Sequence, residues 1–377
     1  MPVPNHCPLR HLLASCLMSA ISMAATAAEP GRHVVAIVCD GLRPDLVTEA
    51  DMPILTRLGR DGVFFANHHP VYISSTEVNG TALATGVYPR TSGVIANHEY
   101  RPDIELLQPI DTEHPWAAWQ ADRLSGGQYI KTDTIAELLQ RTGRHTVVAG
   151  TKGVALLWDR KYRPTDASSP RLFEGITRPA ALLDSIEPDM GPLPLRANPK
   201  AAANARQDEW TTRVLTERLW SNGIPAFTVL WLSEPDFAQH GSGPGTAVGR
   251  AALRSSDANI GRMIEALRMA GELDKTDILV MSDHGFSTVS RHLEMPDLLD
   301  QAGFKVVTDA DRNLAPGEVM PVSTSGSVLF YVGGHDAKVA ADLVAFLQKS
   351  DFAGVIFTQQ PQFGTFPLSQ VRMDSPA

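Results

Sequence analysis

The sequence predicts an α/β fold, a mostly parallel sheet with helices on both faces. Three observations predict it. Four short β-branched runs, HVVAIVCD (33–40), HTVVAGT (145–151), AFTVLWLS (226–233) and DILVMSDHG (277–285), are almost continuously apolar, as strands buried on both faces must be. Helix-like stretches alternate with them, which favours parallel strands with crossover helices. Three of the four runs end in carboxylate or imidazole residues, at the edge where open α/β sheets place their ligands.

Taken in order, the chain of 377 residues begins with a different kind of segment. Arg10 precedes the uncharged run LLASCLMSAISMAATAA, which closes on Ala25-Thr26-Ala27. That layout predicts a secretory signal peptide over residues 1–28, cleaved near Ala27 or Ala28, and a periplasmic or secreted protein. The run is short and carries small polar residues, so no membrane span is expected from it. Leu13-Ala14-Ser15-Cys16 has the form of a lipoprotein cleavage box, a second outcome, but most of the apolar sequence follows it. Cleavage removes Cys7 and Cys16 and leaves Cys39 alone, so no internal disulfide is expected. It also leaves 32 basic against 42 acidic side chains, a net charge near −10. An acidic surface argues against a nucleic-acid groove or a polybasic membrane patch.

After the first strand comes SSTEVNGTALATG (74–86), which reads as a helix start with hydroxyl residues and Glu77 in its first turn. DTIAELLQRTG carries a Thr134/Glu137 capping box, WTTRVLTERLWSNG and AVGRAALRSSDANIGRMIEALRMAGEL are further helices, and 161–209 is a Pro- and Arg-rich insertion or cap. SGSVLFYVGG, AKVAADLVAFLQKS and GVIFTQ predict a later strand, helix and strand. The end at FPLSQVRMDSPA has neither pattern, so a truncated C-terminus is expected.

The candidate ligands are Asp40, Asp236 with His240, and Asp283 with His284. Each has a plainer reading alone. Asp40-Gly41 suits a turn, Asp236/His240 is an i, i+4 pair, and Asp283-His284 converge only if the strand ends and turns, which Gly285 would ease. Together they are an oxygen and nitrogen set suited to zinc or manganese, and mixed Asp/His ligation fits a two-metal hydrolytic site. A threonine hydroxyl at a helix N-terminus beside such ions could attack phosphorus, which gives Thr76 a role beyond capping.

In Asp40-Gly41, Thr76-Glu77-Val78-Asn79 with Thr85-Gly86-Val87-Tyr88-Pro89, Glu234-Pro235-Asp236 with His240-Gly241, and Ser282-Asp283-His284-Gly285, the chain resembles the alkaline phosphatase superfamily in its nucleotide pyrophosphatase/phosphodiesterase branch. The resemblance covers roughly residues 33–290. It implies an alkaline-phosphatase-like sheet, Thr76 as nucleophile, Asn79 as donor to a phosphate oxygen, and two divalent ions, zinc by family. One ion would be held by Asp40, Asp283, His284 and Thr76, the other by Asp236, His240 and a further histidine. The substrate would be a small phosphate ester, cleaved at a phosphodiester or pyrophosphate bond.

Three departures stand out. The further histidine has no matching segment: His335 sits in a Gly-Gly-His-Asp loop, and His68 and His69 read as packing and hydrogen-bonding groups. Glu77 replaces the aromatic residue that stacks on a base in nucleotide-cleaving relatives, and is expected to face solvent. Lys152 is available near the strand ending at Thr151, but the Lys-x-Arg pair of monoesterases is missing, and Arg160 reads as structural. The alternatives are a phosphomonoesterase or phosphonate hydrolase on the same site, or a secreted homologue that binds metal or phosphate without turnover.

Overall fold

Among the described residues the central sheet has six strands, and the runs apolar on both faces lie in its interior. The computed structural model describes residues 31–102, 104, 108–160 and 168–374; the signal peptide expected over residues 1–28 lies outside them. In chain order the site-bearing elements are β1 (His33–Cys39), α1 (Pro53–Asp61), α2 (Thr76–Thr85), α3 (Ile135–Arg141), β2 (Thr146–Gly150), β3 (Arg171–Phe173), β4 (Ile176–Arg178), α4 (Ala205–Val214), β5 (Phe227–Leu232), α5 (Asp236–Ser242), α6 (Ala247–Met269) and β6 (Thr276–Met281). They form the order β4-β3-β2-β5-β1-β6, parallel except for the β3–β4 hairpin.

Alternation along β1 explains the layering. Ala36 and Val38 point to one face, where they pack with Val148, Val229, Trp231, Val154 and Trp158. Val35, Ile37 and Cys39 point to the other, against Leu230, Leu232, Val214, Ile260 and Met263. A strand with both faces covered must be apolar throughout, which is why HVVAIVC carries no polar residue after His33. β6 departs from that expectation. It is the outer strand among the described residues, its side chains are only partly covered, and Leu279 is exposed.

The capping box at Thr134 forms as expected: the Thr134 hydroxyl accepts from Glu137 N at 3.2 Å and the Glu137 carboxylate from Thr134 N at 3.0 Å. The helix expected in WTTRVLTERLWSNG starts earlier, at Ala205, and ends in a π turn over Leu215–Leu219. The segment 161–209 in part extends the sheet, through β3 and β4, while 161–167 lie outside the described residues. Beyond β6 come β7 (Glu318–Thr324) antiparallel to β8 (Ser327–Val332), then α7 (Ala337–Lys349), and GVIFTQ supplies a two-residue strand, Phe357–Thr358. No helix among the described residues is long and apolar enough to cross a membrane. Cys39 is buried and unpaired.

Candidate active site

The carboxyl ends of β1, β5 and β6 lie side by side because those strands are neighbours, so three loops distant in sequence deliver their side chains to one place. The loop after β1 bends at Gly41, whose φ of +68° lies in the left-handed region. A Cβ there would stand 2.9 Å from Asp236 Cβ, so only glycine lets the loops after β1 and β5 touch. The contact is sealed by Asp236 N donating to Asp40 O at 2.9 Å. The loop after β6 is tied to the same place, since Gly41 N donates to Asp283 Oδ1 at 3.1 Å and Leu42 N to Ser282 Oγ at 2.9 Å. Gly285, expected to ease this turn, has an ordinary φ and only Arg43 Cγ near its missing Cβ, at 3.6 Å. Hydrogen bonds to the β1 loop hold the turn instead.

Six predicted residues are brought together. Thr76 opens α2 and lies buried, its Oγ1 3.0 Å from His284 Nε2. That same nitrogen is 3.4 Å from Asp283 Oδ2 and 3.6 Å from Asp40 Oδ1. His284 Nδ1 lies 2.7 Å from Gly285 O, an arrangement that turns Nε2 into the site. Asp236, at the start of α5, has Oδ1 3.4 Å from His240 Nε2, one turn on, and the His240 ring meets the edge of Phe286. Ligand atoms of Asp40, Asp236 and His284 all lie within 4.8 Å of one another. His240 is the outlying member, largely exposed.

The electrostatics match a centre built for a cation. Asp40 Oδ1, Asp236 Oδ1 and Asp283 Oδ2 are buried with no hydrogen-bond partner among the described residues. Orphaned carboxylate oxygens of this kind are costly unless something positive meets them. Burial, and then the neighbouring Asp283 carboxylate, push Asp40 up to about 8. Burial likewise raises Asp283. For Asp236 burial opposes ionisation, but the Lys152 ammonium and His240 outweigh it and hold it below the usual range. His284 is raised, because its carboxylate neighbours overcome the effect of burial. These donors fit a divalent ion, with Asp40, Asp283, His284 and Thr76 on one side and Asp236 with His240 on the other.

Asn79 lies one turn after Thr76, buried, and is already engaged: Val71 N donates to its Oδ1 at 2.8 Å and its Nδ2 donates to Ser75 O at 3.0 Å. One amide hydrogen is left to offer. Glu77 corrects the sequence reading. It is 1% exposed rather than facing solvent, Oε2 has no hydrogen-bond partner among the described residues, and burial raises its carboxyl well above the ordinary range. The reason is that the whole first turn of α2 packs inward, with Glu77 N donating to Asn97 Oδ1 at 3.2 Å. His68 and His69 do form hydrogen-bond contacts, to Ser282 O and Asn67 Oδ1, but both are exposed rather than packed. With Asn79, Tyr88 and Asp283 they line a cavity beside the site. His335 is exposed in a 3-10 turn and is not among the clustered groups. Arg160 is structural, binding Glu137 and Ile130 O.

One contributor went unnoticed in the sequence, and another was noted without its partners. Trp231 donates from Nε1 to Asp40 Oδ2 at 2.8 Å, where an apolar strand pattern signals only core. Lys152 reaches in from the end of β2 and places Nζ 2.9 Å from Asp40 Oδ2 and 3.0 Å from Asp236 Oδ2. Its place just past a strand's carboxyl end marked it as available, but not that it would bridge two carboxylates.

This sheet order, with acidic and histidine side chains gathered at its carboxyl edge beside a buried helix start, defines an alkaline-phosphatase-like α/β protein. Residues 34–358 match the family described as type I phosphodiesterase / nucleotide pyrophosphatase, and the chain belongs to that family. The venom phosphodiesterase of Macrovipera lebetinus is 26% identical over 274 residues, 70% of this chain and 27% of that protein. A bis(5'-adenosyl)-triphosphatase of Xenopus laevis is 22% identical over 294 residues, 77% of this chain and 54% of that protein. The chain thus spans little more than half, or less, of these relatives. Among solved structures, phosphonoacetate hydrolase from Sinorhizobium meliloti in complex with phosphonoacetate gives a TM-score of 0.59 at 16% identity, covering 85% of this chain and 74% of that one. Murine ectonucleotide pyrophosphatase / phosphodiesterase 5, an inactive form in complex with AMP, gives 0.55 at 19% identity, covering 83% and 69%. Both likenesses bear on the fold.

Proposed function

We propose that the protein hydrolyses small phosphoric esters, with phosphodiester or pyrophosphate bonds as its first substrates, through Thr76 and a divalent-metal centre of one or two ions, zinc by ligand type. The carrying observation is the Thr76 hydroxyl 3.0 Å from His284 Nε2, beside buried carboxylates with unpartnered oxygens. Bound ions there would supply positive charge to the developing phosphoryl transition state. Thr76 Oγ1 attacks phosphorus, the bond to the leaving oxygen breaks, and water then hydrolyses the phosphothreonine. The free amide hydrogen of Asn79 is available to a non-bridging oxygen. Family membership and the phosphate-ester relatives support this reading. The leader pattern of residues 1–28 supports action in the periplasm or outside the cell.

A second reading, phosphomonoester or phosphonate hydrolysis, is favoured by Lys152, an extra positive charge inside the site that a dianionic group would use more than a diester. A binding protein without turnover is the third, and an organised Thr76 weighs against it. The experiment compares bis-p-nitrophenyl phosphate, p-nitrophenyl phosphate and phosphonoacetate as substrates, with zinc and with chelator. Diester turnover that needs metal and disappears in Thr76→Ala, with zinc still bound, is the expected result. Undiminished turnover by Thr76→Ala would refute the nucleophile.

A further inference from the structure

We infer that Lys152 is a resident counter-ion, held between the Asp40 and Asp236 carboxylates, that keeps the ligand loops together and repels an incoming divalent cation. The inference rests on the metal-dependent reading given above. Its basis is a division of labour between oxygens. Lys152 Nζ meets Oδ2 of Asp40 at 2.9 Å and Oδ2 of Asp236 at 3.0 Å, while the Oδ1 atom of each faces an imidazole, His284 at 3.6 Å and His240 at 3.4 Å. One ammonium therefore bridges two carboxylates that come from different loops, and leaves one oxygen of each directed to a ligand position.

The arrangement is built rather than incidental. Asp40 is wholly buried, Asp236 nearly so, and the Lys152 side chain is 22% exposed. The lysine arrives from the end of β2, and β5 separates β2 from β1, so only a long side chain spans to Asp40. Trp231 Nε1 shares Asp40 Oδ2 with it. Without Lys152, Asp40, Asp236 and Asp283 would crowd together with only the two histidines as positive partners, and buried like charges repel strongly. A divalent ion relieves the same repulsion, so the ammonium and the ion act on one set of charges. A lysine that only filled space would help metal binding by holding the ligands in place, whereas a counter-ion hinders it. That difference in sign is measurable.

The test uses the full chain, with zinc ion as the probe. Lys152→Met and Lys152→Gln are compared with wild type and Lys152→Arg by titration calorimetry and by melting with chelator or with saturating zinc. Loss of the charge is expected to lower the chelated melting temperature by several degrees, to tighten zinc binding by about tenfold, and to close the melting gap once zinc is saturating. Lys152→Arg should behave as wild type. A neutral variant that folds only with zinc supports the same conclusion. Zinc that binds the neutral variants equally or more weakly, or a chelated melting temperature that does not fall, overturns the counter-ion and leaves metal-dependent hydrolysis standing. Zinc that binds neither wild type nor variants overturns both.

Discussion

Replacing Trp231 by phenylalanine should reveal how far the buried core governs the site. Trp231 is fully buried in β5, and its indole donates to Asp40 Oδ2 at 2.8 Å. A bond to a charged group of this kind contributes roughly 1.5–3 kcal/mol, and losing it leaves Asp40 Oδ2 to Lys152 alone, while Oδ1 has no hydrogen-bond partner among the described residues. The smaller ring leaves a void beside Gly80, for about 1–2 kcal/mol more. The expected cost is therefore roughly 3–5 kcal/mol, a large part of the 5–15 kcal/mol typical of a domain. Trp158 supplies the control. It is also buried in the same core, but its Nε1 has no hydrogen-bond partner among the described residues, so Trp158→Phe should lose the packing contribution alone. Urea denaturation of both variants in chelator measures the difference. If Trp231→Phe proves no more destabilising than Trp158→Phe, the indole does not hold Asp40 and the reasoning fails.

Other consequences can be checked in the same preparations. Gly80→Ala would set a Cβ 2.7 Å from Val154 Cγ2 and 3.2 Å from Trp231, so α2 must shift; a net loss of about 1–2 kcal/mol and a fall in kcat are expected, and an unchanged melting curve would show that α2 yields freely. Asn79→Ala removes the acceptor for Val71 N and should cost about 1–3 kcal/mol in urea titrations along with activity, whereas Asn79→Asp should keep most stability and lose turnover. Burial pushes Asp208 up to about 6, Glu99 to about 7 and Glu234 to about 8. Each is raised above its unfolded value, so its favourable contribution is complete below about pH 4 and is lost as pH rises through 6 to 8. Melting of the chelated protein should accordingly fall between pH 5 and 8.5, and a flat or rising profile would contradict these shifts. Glu77→Gln, which removes another raised carboxyl, should reduce that fall.

The sequence by itself determined four of the sheet's strands and the acidic and histidine residues that follow three of them. Strands covered on both faces must be apolar throughout, so HVVAIVC and FTVLWL were legible without coordinates, and side chains meant for the carboxyl edge must follow them directly. Asp40, Asp236, Asp283 and His284 were found that way. Only the tertiary structure decided what surrounds them. Glu77 is polar and opens a helix, features that usually mean solvent, yet the inward packing of α2 buries it. Trp231 looks like core, yet its N–H meets Asp40. Lys152 becomes part of the centre because β5 stands between β2 and β1 and the lysine reaches across it. Burial and proximity between distant segments come from how layers pack, and local pattern carries no record of which neighbour a side chain will meet.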